Sequence, residues 1–234
     1  MKRHRVRIIA ATGIVLAFAI LVSIMHLGNA PDPSDSTRYL SRALEETGAS
    51  NRVAGVYLNY RLLDTLLEVL VFSVAVLGVR HYLQQSEGME LPDLSESEVV
   101  RTAVVFLSPL ALLLCAFFAI LGHISPGGGF AAGVIAASGL LYVAIAHGMG
   151  AIEAQLNPGR MARTEETILL ALLIFALSPI AFGKLPLSDL LAKGTPGRLL
   201  SGGSILVYNI LIALKVFVGA WAVIAVFAQH RGEL

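Results

Sequence analysis

Six apolar segments of about 20 residues restrict the fold of this chain more than any other feature. They lie at roughly 6–28, 54–79, 102–122, 127–147, 166–183 and 204–228. A helix of about 20 residues spans the hydrocarbon core of a bilayer. Charged residues make up only 14% of the chain, and its mean hydropathy is +0.76. Open strands would leave backbone groups unpaired in lipid, and the alternation typical of a membrane barrel is absent from the sequence. We therefore expect an all-α, polytopic membrane protein with about six transmembrane helices.

The polar connections divide these segments into two groups. An acidic stretch follows the second segment, so that two spans precede it and four follow. We expect a two-helix part at 1–85, an acidic linker at 86–101 and a four-helix part at 102–234. The basic residues at positions 2–7 and in alternate connections favour cytoplasmic N- and C-termini, because cytoplasmic loops carry an excess of Lys and Arg.

Composition also argues against several classes of function. The net charge of +1 gives no reason to expect nucleic acid as a partner. Cys115 is the single cysteine and lies in an apolar run, so neither a disulfide nor a zinc or iron–sulfur site is indicated. No catalytic motif is present, and we expect no metal site, no cofactor and no enzymatic activity in this chain by itself.

Arg61 is one of two basic residues that fall inside a predicted span. The segment NYRLLDTLLEVLVF places Asp64, Thr65 and Glu68 on its helix face, within an arc of about 100°. Charged groups inside a membrane usually face a partner or water, so this face is a candidate ion pathway. Three interpretations remain open. They are a proton or cation relay, a structural Arg61–Asp64 pair with Glu68 bound to a neighbouring subunit, and a charge cluster at the membrane interface.

Lys215 is the other basic residue inside a span, and it lies near the middle of the last segment. Ser204, Tyr208 and Lys215 follow one another at spacings of four and seven residues and share a helix face. A buried lysine changes its protonation state readily. Lys215 is therefore either a titrating group of an ion pathway, together with Tyr208, or a fixed positive partner for a carboxylate on another chain.

The stretch GHISPGGGF, at residues 122–130, separates two apolar segments. A proline at the first position of a helix, with glycines around it, makes a compact entry into the next span. Gly129, Gly133 and Ala137 then recur every four residues, and such a small-residue face lets helices approach closely. His123 either handles protons or hydrogen-bonds the loop backbone. The residues expected to form this structural motif are Pro126, Gly127, Gly128, Gly129, Phe130 and Gly133.

Two motifs resemble known families. GHISPGGGFAAG resembles the GHxxPGGGFxxG signature of the MrpB/MnhB subunit family of multisubunit Na⁺/H⁺ antiporters, and the resemblance covers about 102–228. NYRLLDTLLEVLVF looks like the YRxxDTxxE pattern of the C-terminal region of the MrpA-type subunit, over about 1–85. That region is a separate E-like subunit in membrane-bound hydrogenases. The last helix lacks the F-D-x-G pattern of many antiporter-type B subunits and is similar to the hydrogenase-associated, MbhF-like version.

The resemblance implies a membrane subunit of a cation/proton antiporter module in the cell (inner) membrane. The module would either stand alone or form part of a membrane-bound hydrogenase-type, redox-driven complex. Na⁺ or H⁺ would be the transported ion. The implied partners are C-, D-, A- and G-like membrane subunits, hydrogenase or other redox subunits, and membrane lipid. The alternative is a purely structural scaffold subunit of the same kind of complex, with no ion path of its own.

Overall fold

The computed structural model describes residues 35–83, 98–149, 152 and 156–229, and no strand occurs among them. Contacts divide the chain into two units, Met1–Ser41 and Arg42–Leu234. Helix α1, Asp35–Thr47, begins in the first unit, in the polar connection between the first two predicted spans. The helices that follow α1 belong to the second unit.

Five long helices form the second unit. Helix α2, Arg52–Gly55, is a single turn, and a π-helical turn at Val56–Tyr60 follows it. The long helices are α3 (Leu62–Leu83), α4 (Glu98–Leu121), α5 (Gly129–His147), α6 (Pro158–Leu177, continued by a 3-10 turn at Ser178–Phe182) and α7 (Ile205–Gln229). Five segments of the described residues are long and apolar enough to cross a membrane. They confirm the last five predicted spans, and the first predicted span, 6–28, lies outside the described residues.

Helix α7 contacts each of the other four long helices, and α5 approaches it most closely. A Cβ atom added at Gly133 would lie 2.6 Å from the carbonyl oxygen of Ala213 and 2.6 Å from Cβ of Val216. One added at Gly129 would lie 2.6 Å from the carbonyl oxygen of Asn209. These gaps admit no side chain, so the small-residue face predicted for α5 is confirmed.

The predicted start of α5 is wrong in one detail. The helix begins at Gly129, and Pro126 precedes it in the loop instead of occupying the first helical position. Gly128 has a φ of 138°, which favours glycine, and a Cβ there would lie 2.6 Å from the hydroxyl oxygen of Tyr57. The chain must complete this turn before helical geometry can begin, which moves the helix start beyond the proline.

The second span is also not one continuous α-helix. The Arg61 N–H donates to the carbonyl oxygen of Val56 at 2.8 Å, which is the bond of a π-helical turn. The Thr65 hydroxyl donates to the carbonyl oxygen of Tyr57 at 2.6 Å. This bond satisfies a carbonyl beside the break, so Thr65 has a structural contact where the sequence suggested only a polar face.

Candidate functional site

A buried ion pair joins α6 to α7. Lys215 is only 1% exposed, and its Nζ donates to Glu165 Oε1 at 2.7 Å. The same ammonium group lies 5.4 Å from the centroid of the Phe72 ring. Glu165 is 6% exposed, and its second oxygen, Oε2, lies 3.8 Å from Nη1 of Arg80 in the last turn of α3. We refer to Arg80, Glu165 and Lys215 as the charge cluster.

Glu165 is the member of the charge cluster that sequence reasoning missed. The predicted fifth span begins at residue 166 and so excludes Glu165, whereas α6 begins at Pro158. The Asn157 side chain caps this helix by accepting hydrogen bonds from the N–H groups of Gly159 and Arg160 at 2.9 and 3.2 Å. An Asn–Pro pair is a signal for a helix start and could have placed Glu165 inside the helix.

The charge cluster contains two cations and one carboxylate, all on helices that are long and apolar enough to cross a membrane. Isolated charges within a membrane are very costly, and paired charges are tolerated. The short distance from Nζ to Oε1 therefore accounts for how Lys215 remains buried. It also means that a carboxylate and an ammonium group lie within the reach of direct proton transfer.

The helix face predicted for Tyr208 and Lys215 is confirmed. The Tyr208 ring packs edge-on against Phe175 of α6, with 5.0 Å between the ring centroids, so both residues face α6. Ser204, from the same predicted face, instead hydrogen-bonds to the adjacent loop. Its Oγ accepts hydrogen bonds from the N–H groups of Leu190 and Leu191 at 3.1 and 3.4 Å.

The loop Gly122–Gly128, hereafter the glycine loop, is held in part by Asn51. The Asn51 Nδ2 donates to the carbonyl oxygens of Gly122 and Ser125 at 2.8 and 3.0 Å. Its backbone N–H donates to the carbonyl oxygen of His123 at 3.0 Å. The polar connection before the second span therefore lies at the same end of the helices as the glycine loop, as the predicted topology requires.

Asn209 of α7 supplies the cap that α5 lacks. Gly128, the residue before α5, has no side chain, and Asn209 Oδ1 accepts a hydrogen bond from the Gly129 N–H at 3.1 Å. The same oxygen accepts from the Tyr57 hydroxyl at 3.4 Å. One side chain of α7 therefore joins the start of α5 to the π-helical turn that precedes α3.

His123 is fully buried in the glycine loop. Neither ring nitrogen has a hydrogen-bond partner among the described residues. Burial lowers the pKa of His123, and the nearby backbone carbonyls of Arg198, Leu199 and Ile120 offset part of this effect. The geometry therefore favours a neutral imidazole, packed against the backbone of Gly202.

The structure does not bring the Arg61 face together with the charge cluster. The Nε of Arg61 donates to Asp64 Oδ2 at 2.6 Å, and both side chains are more than half exposed. Glu68 is exposed on the same helix, and no hydrogen bond or ion pair joins it to any residue that the structure describes. Three ionisable side chains are thus exposed on one face of the second span.

The long apolar helices and the buried ion pair define the class of protein to which the chain belongs. The chain is an all-α, multi-pass membrane protein whose central helix carries a buried ion pair, and within the described residues no cluster of His, Cys, Asp or Glu could hold a metal ion. Residues 99–222 match the family model described as a domain related to the MnhB subunit of Na⁺/H⁺ antiporters. Because the match covers more than half of the chain, the chain belongs to this MnhB-related family.

Similar proteins agree with this assignment. The chain is 26% identical over 144 residues to a probable A/B subunit of a K⁺/H⁺ antiporter from Rhizobium meliloti (strain 1021), and the match covers 51% of the chain but only 14% of that protein. A chain of the membrane-bound sulfane sulfur reductase, an archaeal respiratory membrane complex, is 28% identical with a TM-score of 0.69, and the match covers 94% of this chain and 97% of that one.

A third comparison concerns the fold alone. A chain of the Mrp complex from Dietzia sp. DQ12-45-1b has a TM-score of 0.69 at 24% identity, with 99% of this chain and 26% of that chain covered. The family match and the structural neighbours therefore agree on a multi-pass membrane protein of the MnhB-related family.

Proposed function

We propose that this chain contributes a proton-transfer step to the ion pathway of its complex, besides helping the complex to assemble. The observation that carries the proposal is the Lys215–Glu165 pair, with 2.7 Å between Nζ and Oε1 in the buried space between α6 and α7. Ionisable residues inside membrane spans are costly and commonly mark proton or ion pathways. On this proposal the chain is a transport subunit with no enzymatic step of its own.

The chemistry of the pair suits a proton. A proton that reaches Glu165 removes the negative charge that holds Lys215 in place. Lys215 then has a buried charge without a counterion, and it can lower its free energy by releasing a proton on the other side of the pair. Arg80, 3.8 Å from the second carboxylate oxygen, stays charged throughout and limits how far Glu165 can move.

The arrangement of the charge cluster around the Glu165 carboxylate favours H⁺ over Na⁺ at this position. With all three side chains ionised, two positive groups surround one carboxylate and lie against both of its oxygens. A sodium ion needs several free oxygen ligands, whereas a proton needs only one oxygen. The Arg61, Asp64 and Glu68 face has the opposite balance, with two carboxylates and one cation. Within the part of the chain that the structure describes, no contact joins this face to the charge cluster.

The setting of this step is also a proposal. The family suggests Na⁺/H⁺ antiport, and the resemblance to a chain of an archaeal respiratory complex supports a redox-driven assembly of the hydrogenase-associated type. We place the chain in the cell (inner) membrane with both termini in the cytoplasm. Arg80 and Glu165 then lie toward the cytoplasmic side, and the glycine loop lies toward the outer side.

The test is ion transport in membrane vesicles that contain the assembled complex. Arginine stays charged at every working pH, so Lys215→Arg should assemble but lose transport. Glu165→Gln should lose transport in the same way. Glu166→Gln is the matched control, because Glu166 is exposed on the same helix and should leave transport unchanged.

The scaffold role gives different results in the same assay. Its support is that the ion pair is fully satisfied within the chain and ties α6 to α7. If the pair only holds the helices together, Lys215→Arg should retain full transport. Wild-type transport per assembled complex in Lys215→Arg and Glu165→Gln would reject the proton-transfer step and leave the scaffold.

A further inference from the structure

One face of α3 is exposed along its whole length in a regular pattern. Seven exposed residues lie at alternating spacings of three and four: Arg61, which directly precedes α3, and Asp64, Glu68, Val71, Ala75, Gly78 and Tyr82 within it. Val74, Leu77 and His81 are also exposed but lie off this line. At about 100° per residue they fall on a stripe roughly opposite the face that α3 buries through Val69 and Val76. We call this stripe the α3 seam.

The spacing of the α3 seam is that of a helix–helix contact. Residues that recur every 3.5 positions stay on one line when two helices cross at about 20° with a left-handed twist. The seam therefore suits one partner helix along its length, and no helix among the described residues covers it.

The composition along the α3 seam shows how that second helix fits. Ala75 and Gly78 lie at its middle, and no atom lies within 4 Å of a Cβ added at Gly78. Small residues allow close backbone approach, which drives helix association in lipid, where the hydrophobic effect is weak. The space above Gly78 is open in this chain, so it can receive a bulky side chain or the backbone of a partner.

Charge specifies the partner further. Arg61 is already paired with Asp64, which leaves Glu68 as the uncompensated charge of the seam. Glu68 lies within the membrane-spanning helix Leu62–Leu83, where an exposed carboxylate is costly unless it meets a cation. A helix that covers the seam must therefore bring a positive group to Glu68.

The geometry points to a transmembrane helix of another subunit that packs along the α3 seam and places a Lys or Arg side chain against Glu68. The first apolar segment of this chain is a weaker occupant, because residues 8–25 contain no Lys or Arg. The inference concerns assembly and goes beyond the proton-transfer step, since no residue of the charge cluster belongs to the seam.

The experiment is site-specific photo-crosslinking in the intact native complex. A photoreactive amino acid replaces Ala75 or Gly78 in the seam, and Leu77 in the matched control. Leu77 is 54% exposed but lies about 140° from the centre of the seam. Adducts are mapped by peptide mass spectrometry, so that the crosslinked helix is identified by its sequence.

The expected result is an adduct from positions 75 and 78 to one transmembrane helix of another subunit, and no such adduct from position 77. That helix should carry a Lys or Arg about two turns along, at the level of Glu68. Glu68→Lys should lose the complex through like-charge repulsion, whereas Leu77→Lys should not. Changing the partner's basic residue to Glu together with Glu68→Lys should restore it.

Three outcomes would overturn the inference. The first is an adduct to lipid alone from all three positions, which would make the seam a lipid-facing surface. The second is an adduct to residues 6–28 or to a second copy of this chain, detected with two differently tagged copies. The third is a partner helix that has no basic residue near the level of Glu68.

Discussion

Lys215 and Glu165 are separated by 50 residues in the chain, yet their charged atoms lie 2.7 Å apart. The bond spans two helices whose ends are joined by a long, largely exposed connection through residues 183–200. A buried charge that loses its partner is strongly destabilising, whereas removing both partners is often tolerated. The pair therefore couples the stability of the fold to the ionisation of two specific side chains.

Lys215→Met should reduce the stability of the fold by roughly 3–5 kcal/mol, because Glu165 loses its nearest counterion. Glu165→Leu should do the same to Lys215. The double variant Lys215→Met/Glu165→Leu should recover most of the loss, since no buried charge stays unpaired. Thermal unfolding of the purified complex measures this cycle, and additive losses in the double variant would show that the two charges are not coupled.

Gly133→Leu should prevent α5 from packing on α7, because even a Cβ at this position lies 2.6 Å from a backbone carbonyl. The expected destabilisation is at least about 1–3 kcal/mol, the usual cost of overpacking, and Gly129→Leu should act in the same direction. Ala131→Leu is the control, since Ala131 is exposed on the same helix. Equal yields of folded protein for Gly133→Leu and Ala131→Leu would contradict the close contact.

Acid should destabilise the glycine loop through His123. The folded state lowers the pKa of His123 below the ordinary value of about 6.5, so the unfolded state binds the proton more readily. Stability is then complete above about pH 6.5 and is lost as the pH falls toward the folded-state pKa. Melting temperatures between about pH 8 and pH 5 should fall less steeply for His123→Gln than for wild type. His147→Gln, at an exposed histidine, should keep the wild-type slope.

Labelling should place residues 184–203 outside the cell and the start of α6 inside. In a Cys115→Ala background, Leu200→Cys should react with an impermeant maleimide on intact cells, because Leu200 is 76% exposed. Arg163→Cys should react only after the membrane is permeabilised. The reverse pattern would invert the orientation that the positive-inside rule indicates.

Sequence reasoning predicted the spanning helices well, because each long apolar run has one low-energy arrangement in lipid. It was equally successful with Gly129 and Gly133, whose spacing alone defines the close contact of α5. Lys215 could also be singled out, since a charged residue within an apolar run stands apart.

The contact partners of these residues could not be predicted from the sequence in the same way. Glu165 and Arg80 lie in polar stretches near helix ends, where charged residues are common. Only the packing of α3, α6 and α7 brings them to Lys215. Asn209 and Asn51 were missed for a similar reason, because their hydrogen bonds reach 80 and 71 residues along the chain and leave no local pattern. The two-part division at 86–101 and the ion-pathway roles of Arg61, Asp64, Thr65, Glu68, His123, Tyr208 and Lys215 stay predictions.

The cap that Asn209 gives to Gly129 has a consequence for how the chain is made. Helix α5 leaves the ribosome long before α7, so its first turn enters the membrane with the Gly129 N–H lacking its final acceptor. Biosynthesis therefore passes through a stage in which the α4–α5 hairpin is inserted but unfinished. Nascent chains that stall before Asn209 should be more open to membrane proteases than those that stall a few turns later. A helix made later thus supplies the bond that completes the start of one inserted earlier.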